Sequence, residues 1–370
     1  MIANSDEITI NRLREWLDSG QKVEILDIRP QADYHAWHIP GSRNIDVYHA
    51  LHSGLPGLLA DYKAPAGTPV VAVCFVGQTS RVAAGYLRAR GIPALSLTGG
   101  MQAWSQAWNT AEVPLPGGST RVIQVRRTGK GCLSYLVGSE GEALVIDASV
   151  DPQVYLDLAA GQGWRIAQVL ESHIHADHIS RARLLAEMAG ASLILPEQNR
   201  TRFDHQAIKP GEVLKAGEAR LQAIASPGHT FEALSYYLNE QALFTGDSLF
   251  LDSVGRPDLK ANPDEAVERS RALWRTLKNL TALPPDTLVL PCHAGKPVPF
   301  DHQALAAPMH EVAAKIPALA YSEAEFVRWI MQRIPPQPAN YEFIVRLNEA
   351  GVFPPNGAAQ FEAGANHCAV

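Results

Sequence analysis

The segment Glu171-Ser-His173-Ile-His175-Ala-Asp177-His178 packs imidazoles and carboxylates into eight residues, in a chain with 13 histidines among 370 residues. Imidazole and carboxylate are the ligands that suit Zn²⁺, Fe²⁺ and Mn²⁺, and a loop leaving a strand can aim alternate side chains at one point. A His-rich surface turn is the alternative. Three later segments carry the same chemistry: SPGHT with His229, FTGDS with Asp247 and LPCH with His293, each closing a short apolar run. Singly, a His or Asp at a strand end is more often structural. In sequence, they predict side chains emerging from strand ends into a common mouth. A second kind of chemistry is offered by CFVGQTSR, where Cys74 follows an apolar run and precedes a helical pattern. A thiol at a strand end facing a helix N-terminus sits among backbone N–H donors, which favours a nucleophilic sulfur and a covalent intermediate.

These groups must be positioned by the flanking elements. The runs 22–28 and 69–74 are rich in Val and Ile and predict buried parallel strands. Val82, Ala83, Tyr86 and Leu87 recur at helical spacing, so residues 80–89 read as a helix and Phe75 to Thr79 as the turn before it. After Trp108 the text NTAEVPLPGGST has the composition of an exposed connection. From Arg121 the runs VIQVRR, CLSYLV and ALVID read as strands, Pro152 to Ala160 as a helix and AQVLES as a strand, with further alternation to about Gly295. That mixture suits layered α/β architecture rather than a bundle. Helices are predicted over Glu323–Arg333 and Tyr341–Ala350, separated by IPPQPAN, and the tail FEAGANHCAV reads as frayed.

Composition narrows the function classes. A net charge of −6 and a pI near 6.1 give no basic field for polyanions, so neither nucleic acid nor an anionic membrane is expected as partner. There is no run of eighteen apolar residues, and MIANSDEITINRL has no leader-like apolar core, so the cytoplasm is the expected location. The cysteines Cys74, Cys132, Cys292 and Cys368 are scattered without a C-x-x-C pair and read as free thiols. Cys132 is expected in a buried strand, Cys292 at the metal mouth or in the core, and Cys368 exposed. His35, His38, His49 and His52 read as structural or solvated.

Residues 8 to 108 resemble the rhodanese domain through LDIRPQADYHAWHIPGSRNI and LTGGMQAW, with Cys74 where that family carries its persulfide-forming nucleophile. The resemblance implies a loop of Phe75, Val76, Gly77, Gln78, Thr79 and Ser80 cradling the outer sulfur. An arginine usually stands four or five places after the cysteine. Here those places hold Gln78 and Thr79, and Arg81 comes later, which weakens the expected attraction for thiosulfate. Residues 121 to 300 resemble the metallo-β-lactamase superfamily, whose H-x-H-x-D-H motif and later His, Asp and His are all present. By that resemblance a dinuclear site would place one metal on His173, His175 and His229, a second on Asp177, His178 and His293, and Asp247 between them.

Ala176, the run Phe244-Thr-Gly-Asp-Ser-Leu-Phe and the run Val254-Gly-Arg-Pro-Asp258 are similar to the persulfide dioxygenases of that superfamily. This implies one Fe(II) per chain on His173, His229 and Asp247, with His175, Asp177, His178 and His293 beside it or holding a second metal. Two imidazoles and a carboxylate leave positions for O₂ and a sulfur substrate. Arg256 is a candidate for binding a substrate carboxylate, with a loop-organising pair to Asp258 as the alternative. The surplus ligands keep open one or two Zn(II) and a glyoxalase II-like thioester hydrolase, with the rhodanese domain as carrier or docking module.

The expected fold class is therefore α/β: a rhodanese-like parallel-sheet domain over 1–110, a linker over 111–120, an αββα sandwich over 121–300 and a helical extension over 301–370. The expected function is oxidation of glutathione persulfide, or another low-molecular-weight persulfide, to sulfite with O₂, coupled to sulfur transfer through Cys74. Small-molecule thiol persulfide, O₂ and thiosulfate are the expected partners, and a homodimer the expected assembly.

Overall fold

The computed structural model describes residues 6–338, 340–355 and 357–370. Residues 6–108 build one α/β layer from β1 (Glu7–Ile8), α1 (Ile10–Asp18), β2 (Glu24–Asp27), α2 (Gln31–Ala36), β3 (Arg43–Asn44), α3 (Tyr48–His52), β4 (Val70–Val73), α4 (Gln78–Ala89), β5 (Ala94–Leu97) and α5 (Gly100–Trp104). The five strands are all parallel in the order β1-β5-β4-β2-β3. Val70–Val73 is buried throughout because helices cover both sheet faces, which is why this strand reads as a continuous apolar run. The helix after Cys74 begins at Gln78, so the turn is shorter than the sequence suggested and spans Phe75 to Gly77.

The next surprise lies in the expected linker. Residues Asn109–Val113 form a strand, β6, antiparallel to β7 (Arg121–Arg127), and Ala111 and Val113 are each 3% exposed. Only the stretch after Val113 runs as a connection. A seven-stranded sheet continues through β8 (Cys132–Ser139), β9 (Glu142–Ile146), α6 (Pro152–Gly161), β10 (Arg165–Leu170), α7 (Ala182–Ala189), β11 (Ser192–Pro196) and β12 (Gln206–Ile208). A six-stranded sheet follows: β13 (Val213–Ala216), β14 (Ala219–Ala225), β15 (Leu234–Leu238), β16 (Ala242–Gly246), α8 (Pro263–Thr281), β17 (Leu288–Pro291) and β18 (Ala307–Pro308). The start of α8 is written in its sequence, since the Asn262 side chain accepts from Glu265 N and Pro263 stands in the first turn.

The two sheets face one another across a core that includes Tyr135, Leu170, Tyr236 and Phe244. Burying each such side chain contributes about 1.5–3 kcal/mol. The outer faces are covered by α6 and α7 on one side and α8 on the other. The chain ends in α9 (Met309–Lys315), α10 (Glu323–Met331), α11 (Tyr341–Ala350) and α12 (Ala359–Glu362). Ser322 and Glu325 close a reciprocal capping box that sets the start of α10.

The tail is packed, not frayed. Ala369 bridges Gly255, Val370 N donates to Val254 O, and Cys368 is 1% exposed rather than solvent-facing. No described helix is long and apolar enough to cross a membrane.

The two α/β bodies meet on the α1 and α5 side of the parallel sheet, where Phe300 packs against the cluster that includes Leu13, Met101 and Trp104. Trp37 donates its indole N–H to Gly129 O, Gly129 N donates to Ala107 O, and Trp104 lies 5.9 Å from Phe300 between ring centroids. Beside this contact is a buried ionic knot. The Glu362 carboxylate accepts from Arg127, Arg181, Gln106 Nε2 and the backbone N–H of Ile179. It thereby ties the tail, both bodies and the loop after His178 together.

Candidate metal centre

All seven sequence-nominated ligands converge where β10, β16 and β17 end and the chain leaves β14. His173, His175, Asp177 and His178 lie in the loop after β10, His229 in the turn after β14, Asp247 just past β16 and His293 just past β17; each is at most 3% exposed. The G-R-x-D turn explains part of this closeness. A Cβ on Gly255 would sit 1.8 Å from Asp247 O, so only glycine lets that turn lie against the Asp247 backbone.

Three ligand atoms form one group: His173 Nε2 lies 3.7 Å and His229 Nε2 3.5 Å from Asp247 Oδ2. Ligands about 2.0–2.2 Å from a metal stand roughly 3–3.5 Å apart, so a small closure brings this trio onto one ion. Outer contacts fix the direction of each ring. His229 Nδ1 donates to Arg256 O at 2.7 Å. Ser172 Oγ donates its own proton to Asp147 Oδ2 at 2.9 Å, so Ser172 Oγ accepts from His173 Nδ1–H at 2.9 Å. Both rings therefore turn an unprotonated Nε2 inward, as metal ligands need. His173 Nε2 and Asp247 Oδ2 are buried with no hydrogen-bond partner, an expense a bound cation would remove.

Electrostatics agree with this division. Burial, with His175 nearby, holds His173 well below the ordinary imidazole range, and burial likewise lowers His229. Burial opposes the charge on Asp247, but His293, His173 and His229 outweigh it and keep the carboxyl ionised.

The other four residues are engaged differently. His293 spans two carboxylates, Nδ1 to Asp247 Oδ1 at 2.5 Å and Nε2 to Asp177 Oδ2 at 2.9 Å. His178 Nδ1 contacts Asp177 Oδ1 at 3.0 Å, leaving Nε2 without a partner. His175 turns Nε2 to Glu171 Oε2 at 2.7 Å and Asp147 Oδ1 at 3.3 Å, and stands outside the trio. A second group of donor atoms is Cys132, Asp177, His178 and His293, with the Cys132 thiol 3.2 Å from Asp177 Oδ2. Cys132 is buried as the sequence suggested, yet it faces ligands rather than core alone.

Several contributors escaped the sequence reading. Asn348 on α11 donates to both His175 O and His178 O and accepts from Ser180 N, clamping the ligand loop. Asn366 donates to Asp177 Oδ2. The L-N pair within α11 and the polar text before Cys368 were visible signals without a partner to attach them to. Arg256 requires a correction. It is fully buried, bidentate to Asp258, and gives its remaining donors to the carbonyls of Pro335, Pro336 and His367. Its guanidinium organises the tail around the site, so the substrate-carboxylate role gives way to the loop-organising one.

In the parallel-sheet domain, Cys74 Sγ accepts from Gly77 N at 3.2 Å and Ser80 N at 3.4 Å, and lies 3.4 Å from Ser80 Oγ. Gly77 has φ +88°, and a Cβ there would come within 2.9 Å of Gly99 N, so the tight loop depends on glycine. Phe75, Val76 and Gln78 are exposed, whereas Thr79 and Ser80 are buried. Arg81 turns away to pair with Glu7. The loop therefore offers amides and an apolar rim where a cation would favour thiosulfate.

A five-stranded parallel sheet with a cysteine at the turn into α4, joined to a two-sheet sandwich with a His/Asp centre, defines the class, and comparison with known proteins supplies the families. Residues 9–107 match the rhodanese-like domain and residues 127–293 the metallo-beta-lactamase superfamily. The chain is a rhodanese-like domain joined to a metallo-β-lactamase domain, the latter a metal-binding fold.

Its relatives are of two kinds. It is 29% identical over 244 residues to the persulfide dioxygenase ETHE1, mitochondrial, of Homo sapiens, covering 63% of this chain and 90% of that one. It is 34% identical over 168 residues to the hydroxyacylglutathione hydrolase of Polaromonas sp., covering 43% of this chain and 61% of that one. Across three such hydrolases the chain spans 57–61% of their length. Among solved structures, ETHE1 from Myxococcus xanthus is similar with TM-score 0.54 and 26% identity, covering 62% of this chain and 97% of that one.

Proposed function

We propose that the protein oxidises a low-molecular-weight persulfide, glutathione persulfide being the test substrate, at one Fe(II) held by His173, His229 and Asp247. The observation that carries this reading is the trio itself: two inward Nε2 atoms and a carboxylate oxygen on one side of a buried centre, with His173 Nε2 and Asp247 Oδ2 lacking any other partner. Iron bound there would supply the means to bring O₂ and a sulfur substrate together. The balanced reaction is RSSH + O₂ + H₂O → RSH + HSO₃⁻ + H⁺.

The chain's own residues do the positioning. Ser172 and the Arg256 carbonyl fix the two ring tautomers, and Asn348 holds the ligand loop. Burial of all seven ligands excludes bulk water. In the rhodanese-like domain Cys74 would attack the sulfane sulfur of a donor, the donor's S–S bond would break, and a small thiol would then remove the outer sulfur. Four free cysteines suit a reducing cytoplasmic setting.

Iron-loaded protein is expected to take up O₂ and release sulfite with glutathione persulfide. If it takes up none, the dioxygenase reading fails. Cys74→Ser is expected to lower sulfur transfer from a persulfide donor by roughly 100-fold or more while leaving the metal content of the chain unchanged. With the wild-type chain, thiosulfate is expected to be the slower donor; assay of released or cyanide-trapped sulfur checks both.

A second reading rests on the Cys132, Asp177, His178 and His293 group, which could hold a second ion beside the trio and support zinc-dependent hydrolysis of a glutathione thioester. Two zinc per chain with thioester turnover and no O₂ uptake would establish it in place of the first.

A further inference from the structure

Behind the ligand loop, on the side away from His293, a narrow void runs inward between α7, β11 and α11. Its walls are Leu184, Leu193, Leu195 and Leu347, its outer rim includes Arg183 and Phe203, and its floor is Glu171, His173 and His175. The free volume is about 40 Å³, room for a diatomic molecule or one water and far too little for a peptide-sized thiol.

The polar floor is occupied with itself. Glu171 is shared between His175 Nε2 and Ser180 Oγ, and the Asn348 amide is spent on His175 O, His178 O and Ser180 N. At the rim, Arg183 is held by Glu187 and Gly351 O. Among the described lining side chains His173 Nε2 and His175 Nδ1 are left without a partner, and the proposed metal would take the first. A buried water typically makes about three hydrogen bonds, so a space offering one, once His173 Nε2 is committed to the metal, favours an apolar occupant.

We propose that this void is a gas passage, delivering O₂ to the His173 and His175 side of the centre separately from the persulfide. The identity of the gas rests on the dioxygenase reading; the apolar, water-poor character of the passage does not. A diatomic gas gains from an apolar path because it has no hydrogen bonds to surrender on leaving water.

Full-length crystals pressurised with xenon are expected to show the atom between Leu195 and Leu347; ordered water there instead would overturn the passage. Leu347→Trp, which fills the space from α11, is expected to remove the xenon site. In iron-loaded protein it should raise the KM for O₂ roughly fivefold or more, with the KM for glutathione persulfide unchanged. An unaltered KM for O₂ would sink the proposal. Leu195→Phe makes the same measurement from the opposite wall should the tryptophan disturb folding. Wild-type protein that binds xenon but takes up no O₂ with persulfide would refute the dioxygenase reading and O₂ as the cargo, distinguishably from a failure of the passage.

Discussion

Asp247→Ala is expected to strip the metal from the His173/His229 site and to lower turnover roughly 1000-fold, equivalent to about 4 kcal/mol. Asp247 provides the trio's carboxylate oxygen, and its other oxygen holds His293 Nδ1 at 2.5 Å. Removing it therefore costs a ligand, a negative charge and the orientation of His293 together. Asp247→Asn keeps the shape and loses the charge, so it should fall between wild type and alanine in metal affinity. His175→Ala is the contrast, since His175 stands outside the trio; it should retain one metal per chain. Elemental analysis with calorimetric metal titration decides the matter. Native affinity in Asp247→Ala would remove the trio as the binding site.

The largest effect on stability is expected at Glu362→Gln. This carboxylate is fully buried and faces Arg127, at 0% exposure, and Arg181, at 2%. Glutamine can still accept from Ile179 N but leaves two buried cations without a counter-charge, and breaking buried pairs of this kind costs about 3–5 kcal/mol. Burial by itself would raise the Glu362 pKa, but Arg127 and Arg181 outweigh it and hold the carboxyl well below its usual range. The folded pKa thus lies below the unfolded value near ~4.3, so the stabilisation is complete above that pH and is lost as pH falls below it. Urea unfolding of both proteins should show the widest gap at neutral pH and a narrowing gap from about pH 4 downward. A gap independent of pH would mean that packing, not charge, is what the substitution removes.

The candidate ligands were legible because a ligand set declares itself by residue type. Imidazoles and carboxylates closing apolar runs have few other reasons to recur in that order. What each ring does was not legible. That His293 lies between Asp177 and Asp247, or that His175 turns to Glu171, depends on contacts between strands far apart in sequence. The same limit applies to β6. Asn109, Ala111 and Val113 alternate inward, but the prolines and glycines just after them dominate the local composition, and the strand exists through its pairing with β7. The tail from Asn366 to Val370 shows no period for the same reason. It is ordered by Gly255, Arg256 and Asp177, none of which is near it in sequence.

The exposed rim beside Cys74 has a kinetic meaning. Trp37 and Trp104 to Ala107 touch the metal domain, and Cys74 O accepts from Met101 N at 2.8 Å, three residues before Trp104. Phe75 and Val76 beside Cys74 face solvent. Under the proposed function, sulfur held on Cys74 would be collected at this solvent-facing rim by a molecule free to diffuse. The chain then behaves as two workshops under one roof, supplied from the street. An equimolar mixture of Cys74→Ser and Asp247→Ala proteins should convert a sulfane donor to sulfite about as fast as the same number of intact sites, which a private corridor would forbid.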